Sequence, residues 1–207
     1  KDAYKRLPAM LADSLPDDFG NALIDSYMAE NGISSNQITA LDRLAYMGNR
    51  AMGALEFKPV HGPKQTKSSA IEMHSLVMEA RKVIKGRFKD DYKTNAALRS
   101  IIEVGTSAGG ARAKAVIAWN PQTNEIRSGQ VDADEGFEHW LLKFDGMGTD
   151  RELGKSEHYG RIEFAYYLMA TASGIKMTTS RLLEENGRAH FMTKRFDRAG
   201  KSTKHNI

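Results

Sequence analysis

Apolar side chains recur at three- and four-residue spacing in Leu23, Ile24, Tyr27 and Met28. This predicts a helix with one buried stripe, capped by Asp17 or Asp18 and closed at Asn31-Gly32. A second short helix is predicted from Ser35 through Ile38, Leu41, Leu44 and Ala45, ending before a Gly48 to Gly53 turn. Ala54 to Lys58 then reads as extended. Met73, Leu76, Val77, Ala80, Val83 and Ile84 share one helical face, and Ala97, Leu98, Ile101 and Ile102 share another.

After Val104 the period changes. Gly105 to Lys114 is a run of small residues that reads as a loop, followed by the apolar strand Ala115 to Trp119. Asn120-Pro121 marks a turn, a partner strand is expected near Ile126, and Trp140 to Phe144 reads as a third strand with Lys143 embedded in it. Ser156 opens a long helix in which Ile162, Ala165, Tyr166, Met169 and Ala172 line one side, with Gly174 as its left-handed cap. Strands at Ser180 to Leu183 and Ala189 to Arg195 flank an Asn186-Gly187 turn. The fold class is therefore α+β. Residues 1–60 form a small α+β N-terminal subdomain, 61–104 a helical connector that starts with a linker at His61 to Ser69, and 105–207 an antiparallel sheet carrying one helix.

Composition narrows the function classes. The 207 residues are 41% hydrophobic and 27% charged, as in ordinary globular domains, and no apolar run reaches the roughly 18 residues of a spanning helix. With no signal-peptide pattern, a cytoplasmic location is expected. Zero cysteines exclude disulfides, thiol catalysis and thiolate metal sites. The net charge of +4 is unevenly spread: −2 over residues 1–60, +4 over 61–104 and +2 over 105–207. Lys82, Lys85, Arg87, Lys89 and Lys93 carry the middle excess, either as a solvated helix face or as a phosphate-contacting surface.

Two places suggest chemistry. Gly105 and Gly110 have the spacing of a Walker A loop, but Ala111-Arg112 stand where that motif needs Lys and Ser or Thr, and a strand follows instead of a helix. A structural turn and a phosphate cradle both remain open for this loop. Lys143 lies among Trp140, Leu141, Leu142 and Phe144, so it must reach solvent or an anion, and Glu163 on the next helix stands at a spacing that permits an ion pair. The histidines show no zinc spacing, and Ser107 sits in no nucleophile elbow, which disfavours a metal site and a serine hydrolase.

Several stretches together resemble the HipA family of bacterial serine/threonine kinases, the toxins of HipBA-type toxin–antitoxin systems. They are Leu11 to Gly20, Arg43 to Gly48 with Met52 to Glu56, Ser107 to Lys114, and His190 to Arg198. The resemblance implies a kinase-like N-terminal lobe. In it Gly109, Gly110, Ala111, Arg112, Ala113 and Lys114 form the phosphate loop, Lys143 contacts ATP phosphates with Glu163 as its partner, and Lys194, Arg195 and Phe196 form the hinge beside adenine. Lys194 departs from the acidic residue associated with its position. Ser107 matches the serine that the family autophosphorylates.

The cofactors implied are ATP and Mg. The implied partners are a helix-turn-helix HipB-like antitoxin, operator DNA reached mainly through it, and an aminoacyl-tRNA synthetase as protein substrate. The catalytic and metal-binding aspartates are expected in a C-terminal lobe beyond Ile207, because neither a D-x-x-x-x-N catalytic loop nor a D-F-G equivalent is read in residues 1–207. No catalytic or metal-binding residue is assigned here, and this portion alone is expected to be inactive. The competing class is a non-catalytic binding or regulatory module of a toxin–antitoxin–DNA complex.

Overall fold

A computed structural model describes residues 3–51, 53, 55–63, 70–84, 101–102, 112–130, 133–146, 149–150, 154–155, 158–199 and 203–204. Short helix α1 (Ala9–Asp13) leads into α2 (Asp18–Glu30). Asp17 caps α2 by accepting from the Gly20 amide at 2.8 Å, and the helix buries Phe19, Leu23, Ile24 and Met28. Helix α3 (Ala40–Met47) begins at a capping box in which Thr39 accepts from the Asp42 amide and the Asp42 carboxylate accepts from the Thr39 amide. Helix α4 (Met73–Ile84) packs on α2 and buries Met73, Leu76, Val77 and Ala80, the face expected from the spacing.

A five-stranded antiparallel sheet follows, in the order β2-β1-β3-β7-β6. Its strands are β1 (Lys114–Trp119), β2 (Ile126–Ser128), β3 (Glu138–Lys143), β6 (Ser180–Glu185) and β7 (Arg188–Lys194). Strand pairs β4 (Thr149–Asp150) with β5 (Gly154–Lys155), and β8 (Arg198–Ala199) with β9 (Thr203–Lys204), make two short ribbons. Helix α5 (Tyr159–Ala172) packs on β6 and β7. Register pairs Ala115 with Leu142 and Ile117 with Trp140 on one face. These residues join α2 and α4 in one apolar core, where Trp119 and Trp140 meet edge to face at 5.8 Å. Ile101 and Ile102 are helical and buried in the same core.

The β6–β7 hairpin turns at Asn186 and Gly187, with φ of 44° and 77°, the paired left-handed conformation that the right-handed strand twist favours. Gly174, φ 83°, ends α5 as expected.

Three expectations are corrected. The single helix from Ser35 is two elements, because Ser34 and Gln37 form a capping box around a 3-10 turn, Ser35–Gln37, before Thr39 opens α3. Ala54 to Lys58 forms no strand among its described residues; the Phe57 amide donates to the Gly48 carbonyl at 3.0 Å instead, so the described part of residues 1–60 is helical and irregular. Helix α5 starts at Tyr159 instead of Ser156, and its stripe is not buried: Ile162, Tyr166 and Met169 are 48%, 66% and 55% exposed. The sheet meets the helix at buried Gly160, which lets it reach the Ala189 carbonyl, while Phe164 and Tyr167 are half-buried. The Ala97 and Leu98 helix positions, most of the expected linker, and the side chains of Lys82, Lys85, Arg87, Lys89 and Lys93 lie outside the described residues.

Candidate functional site

Lys143 ends β3, and its Nζ lies 2.6 Å from Oε2 of Glu163, in the second turn of α5. The ion pair expected from the sequence is thus formed. The ammonium also sits 5.9 Å from the centre of the Phe191 ring, its register neighbour on β7. The other carboxylate oxygen of Glu163 accepts from Arg112, whose guanidinium stacks over the Tyr159 ring at 4.7 Å. One carboxylate therefore holds two cations, and the cluster keeps a net charge of +1. All three side chains are partly exposed, Lys143 and Arg112 by about a third (33% and 34%), so an anion can approach.

Lys114 departs from its expected place. It is the first residue of β1 and the register partner of Lys143, yet its side chain is 2% exposed and paired with Asp17 at the start of α2. A buried ammonium with a buried carboxylate partner is not a loop cation facing solvent. Asp17 serves twice, with Oδ1 on the Gly20 amide and Oδ2 on Lys114. Sequence reasoning assigned it only the cap. Ala113 is buried, and its carbonyl accepts from the Phe144 amide at 3.1 Å. Ser107, Gly109, Gly110 and Ala111 lie outside the described residues.

At the expected hinge, the Lys194 amide donates to the Thr179 carbonyl at 2.8 Å and the Arg195 amide to the His139 carbonyl at 2.9 Å. Both donors are thus spent on the sheet and its flank. The Lys194 ammonium reaches Glu138 at 2.6 Å, an acidic residue supplied from β3. Arg195 is buried and forks onto Asp197, at 2.9 Å to Oδ1 and 2.6 Å to Oδ2. Phe196 alone points outward, 69% exposed.

Asp197 also accepts from Arg198 at 2.9 Å and from the Gly53 amide at 3.2 Å. Burial would raise its pKa, but the Arg195 hydrogen bonds and charge, followed by Arg198, hold it below the ordinary carboxylate value. The Asp197-Arg198 dipeptide carried no signal of its own in the sequence beyond its place in the His190 to Arg198 stretch.

The letters of two kinase motifs do occur, which corrects their expected absence. Asp18-Phe19-Gly20 spells D-F-G, but it is the first turn of α2 with Phe19 and Gly20 buried in the core, not a loop beside a metal. Asp90 to Asn95 has the D-x-x-x-x-N spacing and lies outside the described residues. Among the described residues no group of three or more His, Asp or Glu side chains could hold a metal ion, and no helix is long and apolar enough to cross a membrane.

Comparison with known proteins identifies the family. Residues 1–58 match the family model of the HipA N-terminal domain and residues 106–207 that of the HipA-like C-terminal domain. No curated protein matches the sequence. Among solved structures the chain is similar to one in the complex of Shewanella oneidensis MR-1 toxin–antitoxin proteins HipA and HipB with their operator DNA. The TM-score is 0.54 at 18% identity, over 92% of this chain and 38% of that one. The chain thus spans well under half the length of the structure it matches. Two family models in tandem, covering more than three quarters of the residues, lead to one conclusion: the chain belongs to the HipA family.

Proposed function

We propose that these residues form the nucleotide-binding part of an ATP- and Mg-dependent serine/threonine protein kinase of the HipA type. The observation that carries the reading is the partly exposed Lys143–Glu163 ion pair, with Arg112 on the same carboxylate. In protein kinases a strand lysine held by a helix glutamate positions nucleotide phosphates. The residues present fit that ligand: a net positive rim suits a polyphosphate, and exposed Phe196 offers an apolar surface at the hinge. ATP supplies the transferable phosphoryl group. Lys143 binds its phosphates, and Glu163 keeps the ammonium extended toward them. No group of three or more His, Asp or Glu side chains that could hold a metal ion stands among the described residues, and no step here runs through the metal.

On this reading the catalytic aspartates belong to a further lobe of a longer protein, and Ser107 is the autophosphorylation site. A phosphate there would add about −1.5 to −2 charges beside the nucleotide phosphates and lower ATP affinity. The partners are a HipB-like helix-turn-helix antitoxin and, through it, operator DNA, supported by the composition of the complex that the fold matches. The protein would act in the cytoplasm, and an aminoacyl-tRNA synthetase is its candidate substrate by family analogy.

The test is ATP titration of the full-length protein and its Lys143→Ala variant. The variant should bind at least roughly tenfold more weakly, the equivalent of about 1.4 kcal/mol. Equal affinity in the two proteins would reject the phosphate role and favour the non-catalytic binding module.

A further inference from the structure

Lys114 and Lys143 are register partners on adjacent antiparallel strands, so both side chains leave the sheet on the same face. Like charges directly opposite one another repel. Each lysine is compensated by a carboxylate from a different helix: Lys143 by Glu163 of α5, Lys114 by Asp17 at the start of α2. The two pairs differ in exposure. Glu163 and Lys143 sit at a rim, 24% and 33% exposed, whereas Asp17 and Lys114 are sealed at 5% and 2%.

We infer that Asp17 withholds Lys114 from the phosphate site, so that the N-terminal helix α2 restrains polyphosphate affinity at Lys143. The inference rests on the reading of Lys143 as the phosphate lysine and adds a regulator of that same site. With Lys114 neutralised, the cations Lys143 and Arg112 against Glu163 leave +1 near an incoming phosphate; with Lys114 released they leave +2. A sealed ion pair is close to break-even, because the attraction of its charges is offset by the water both have lost. Breaking it from one side is costly, and a polyphosphate, with several negative charges, is the class of ligand that can compete for the ammonium. Asp17 is not stranded by the exchange, since its other oxygen keeps the Gly20 amide. Lys114 opens β1 and directly follows Ala113, whose carbonyl bonds to Phe144, so a shift of α2 reaches that strand.

The experiment is titration of the full-length protein with inorganic pyrophosphate and, separately, with adenosine. Asp17→Asn keeps the helix cap and deletes the charge. It should tighten pyrophosphate binding roughly tenfold, the scale of one newly available charge at a partly exposed site, and leave adenosine unchanged. Adding Lys114→Met to that variant should erase the gain. Unchanged or weaker pyrophosphate binding by folded Asp17→Asn, the result of a merely structural pair, would overturn the inference.

Should Asp17→Asn fail to fold, the Asp17→Leu/Lys114→Met double variant replaces the pair with apolar side chains and should bind pyrophosphate like the parent. Weaker binding would mean that Lys114 already serves the phosphate site, which also overturns the inference. Lys143→Ala is the control that separates the two readings. If it leaves pyrophosphate binding intact, both fall; if it weakens binding while Asp17→Asn does not tighten it, only the restraint falls.

Discussion

The Asp197 carboxylate accepts the Gly53 amide at 3.2 Å while Arg195 forks onto it, so one buried side chain ties the N-terminal segment to the end of β7. Asp197→Ala would leave Arg195 and Arg198 buried without their shared anion, and breaking a buried pair from one side costs about 3–5 kcal/mol. Denaturant unfolding should show a loss of that order. The folded-state pKa of Asp197 lies below its ordinary value. Its contribution is therefore complete above about pH 4 and is lost as pH falls through the folded pKa. Acid unfolding of the variant should lack that component.

Gly160 predicts a packing effect. A Cβ there would run into the Ala189 carbonyl oxygen and stand 3.0 Å from its carbon and 3.1 Å from the Phe191 amide nitrogen, all backbone of β7 that cannot swing aside. Gly160→Ala must push α5 off the sheet. Overpacking of this kind costs about 1–3 kcal/mol, or a fall in Tm of roughly 2–4 °C per kcal/mol in a chain of this size. Because α5 carries Glu163, the same variant should weaken ATP binding by the full-length protein, whereas Gly174→Ala, at a cap with open space around it, should lower Tm without that effect.

The sheet was legible because each of its signals is local. The Asn186-Gly187 turn fixes the hairpin, and the apolar run Ala115 to Trp119 marks β1, a strand buried along its whole length. The Lys143–Glu163 pair was legible too, since a strand lysine and a glutamate on the next helix are twenty residues apart and brought together by one connection. The Lys114–Asp17 pair joins residues 97 apart, and nothing near Lys114 in the chain marks it as buried. The exposed side of α5 misled for a different reason. The helix is apolar on both sides, so periodicity shows a stripe but not which of two stripes meets the sheet.

Two buried histidines set a pH dependence of opposite chemistry to that of Asp197. His139 and His190 both have pKa values lowered from 6.5, first by burial; nearby Arg195 and Arg198 add to the effect at His139. The folded protein keeps them neutral, while the unfolded chain binds protons below about 6.5, so stability is full above that pH and declines as pH falls through it. His190 uses Nδ1 to accept the Asp145 amide at 2.9 Å, so its replacement would also cost a buried bond. The ring nitrogens of His139 make no hydrogen bond of ordinary geometry among the described residues, although the backbone of Gly129 lies near enough to work against the lowering. His139→Leu should therefore leave stability at pH 8 within about 1 kcal/mol of the parent and flatten the decline between pH 7 and pH 5. A decline of the same slope in the variant would assign the pH dependence elsewhere.

Glu163→Gln separates stability and binding from turnover. The carboxylate is 24% exposed and its cations about a third, and ion pairs at such exposure contribute about 0–1 kcal/mol to folding. Unfolding free energy should thus barely change. Phosphoryl transfer should change more, because the amide no longer holds Lys143 at 2.6 Å or anchors Arg112 across the Tyr159 ring, and both cations lose the geometry that presents them together. Two effects of opposite sign then compete. Removing the carboxylate adds positive charge at the site, which favours any phosphate, while loss of alignment disfavours the one productive arrangement. The expected outcome is ATP affinity within about threefold of the parent and phosphorylation by the full-length protein reduced by roughly two orders of magnitude or more, the scale on which misplacement of reacting groups acts. Steady-state kinetics with ATP varied would show the loss in kcat and not in KM; a loss confined to KM would mean that Glu163 contributes to binding alone.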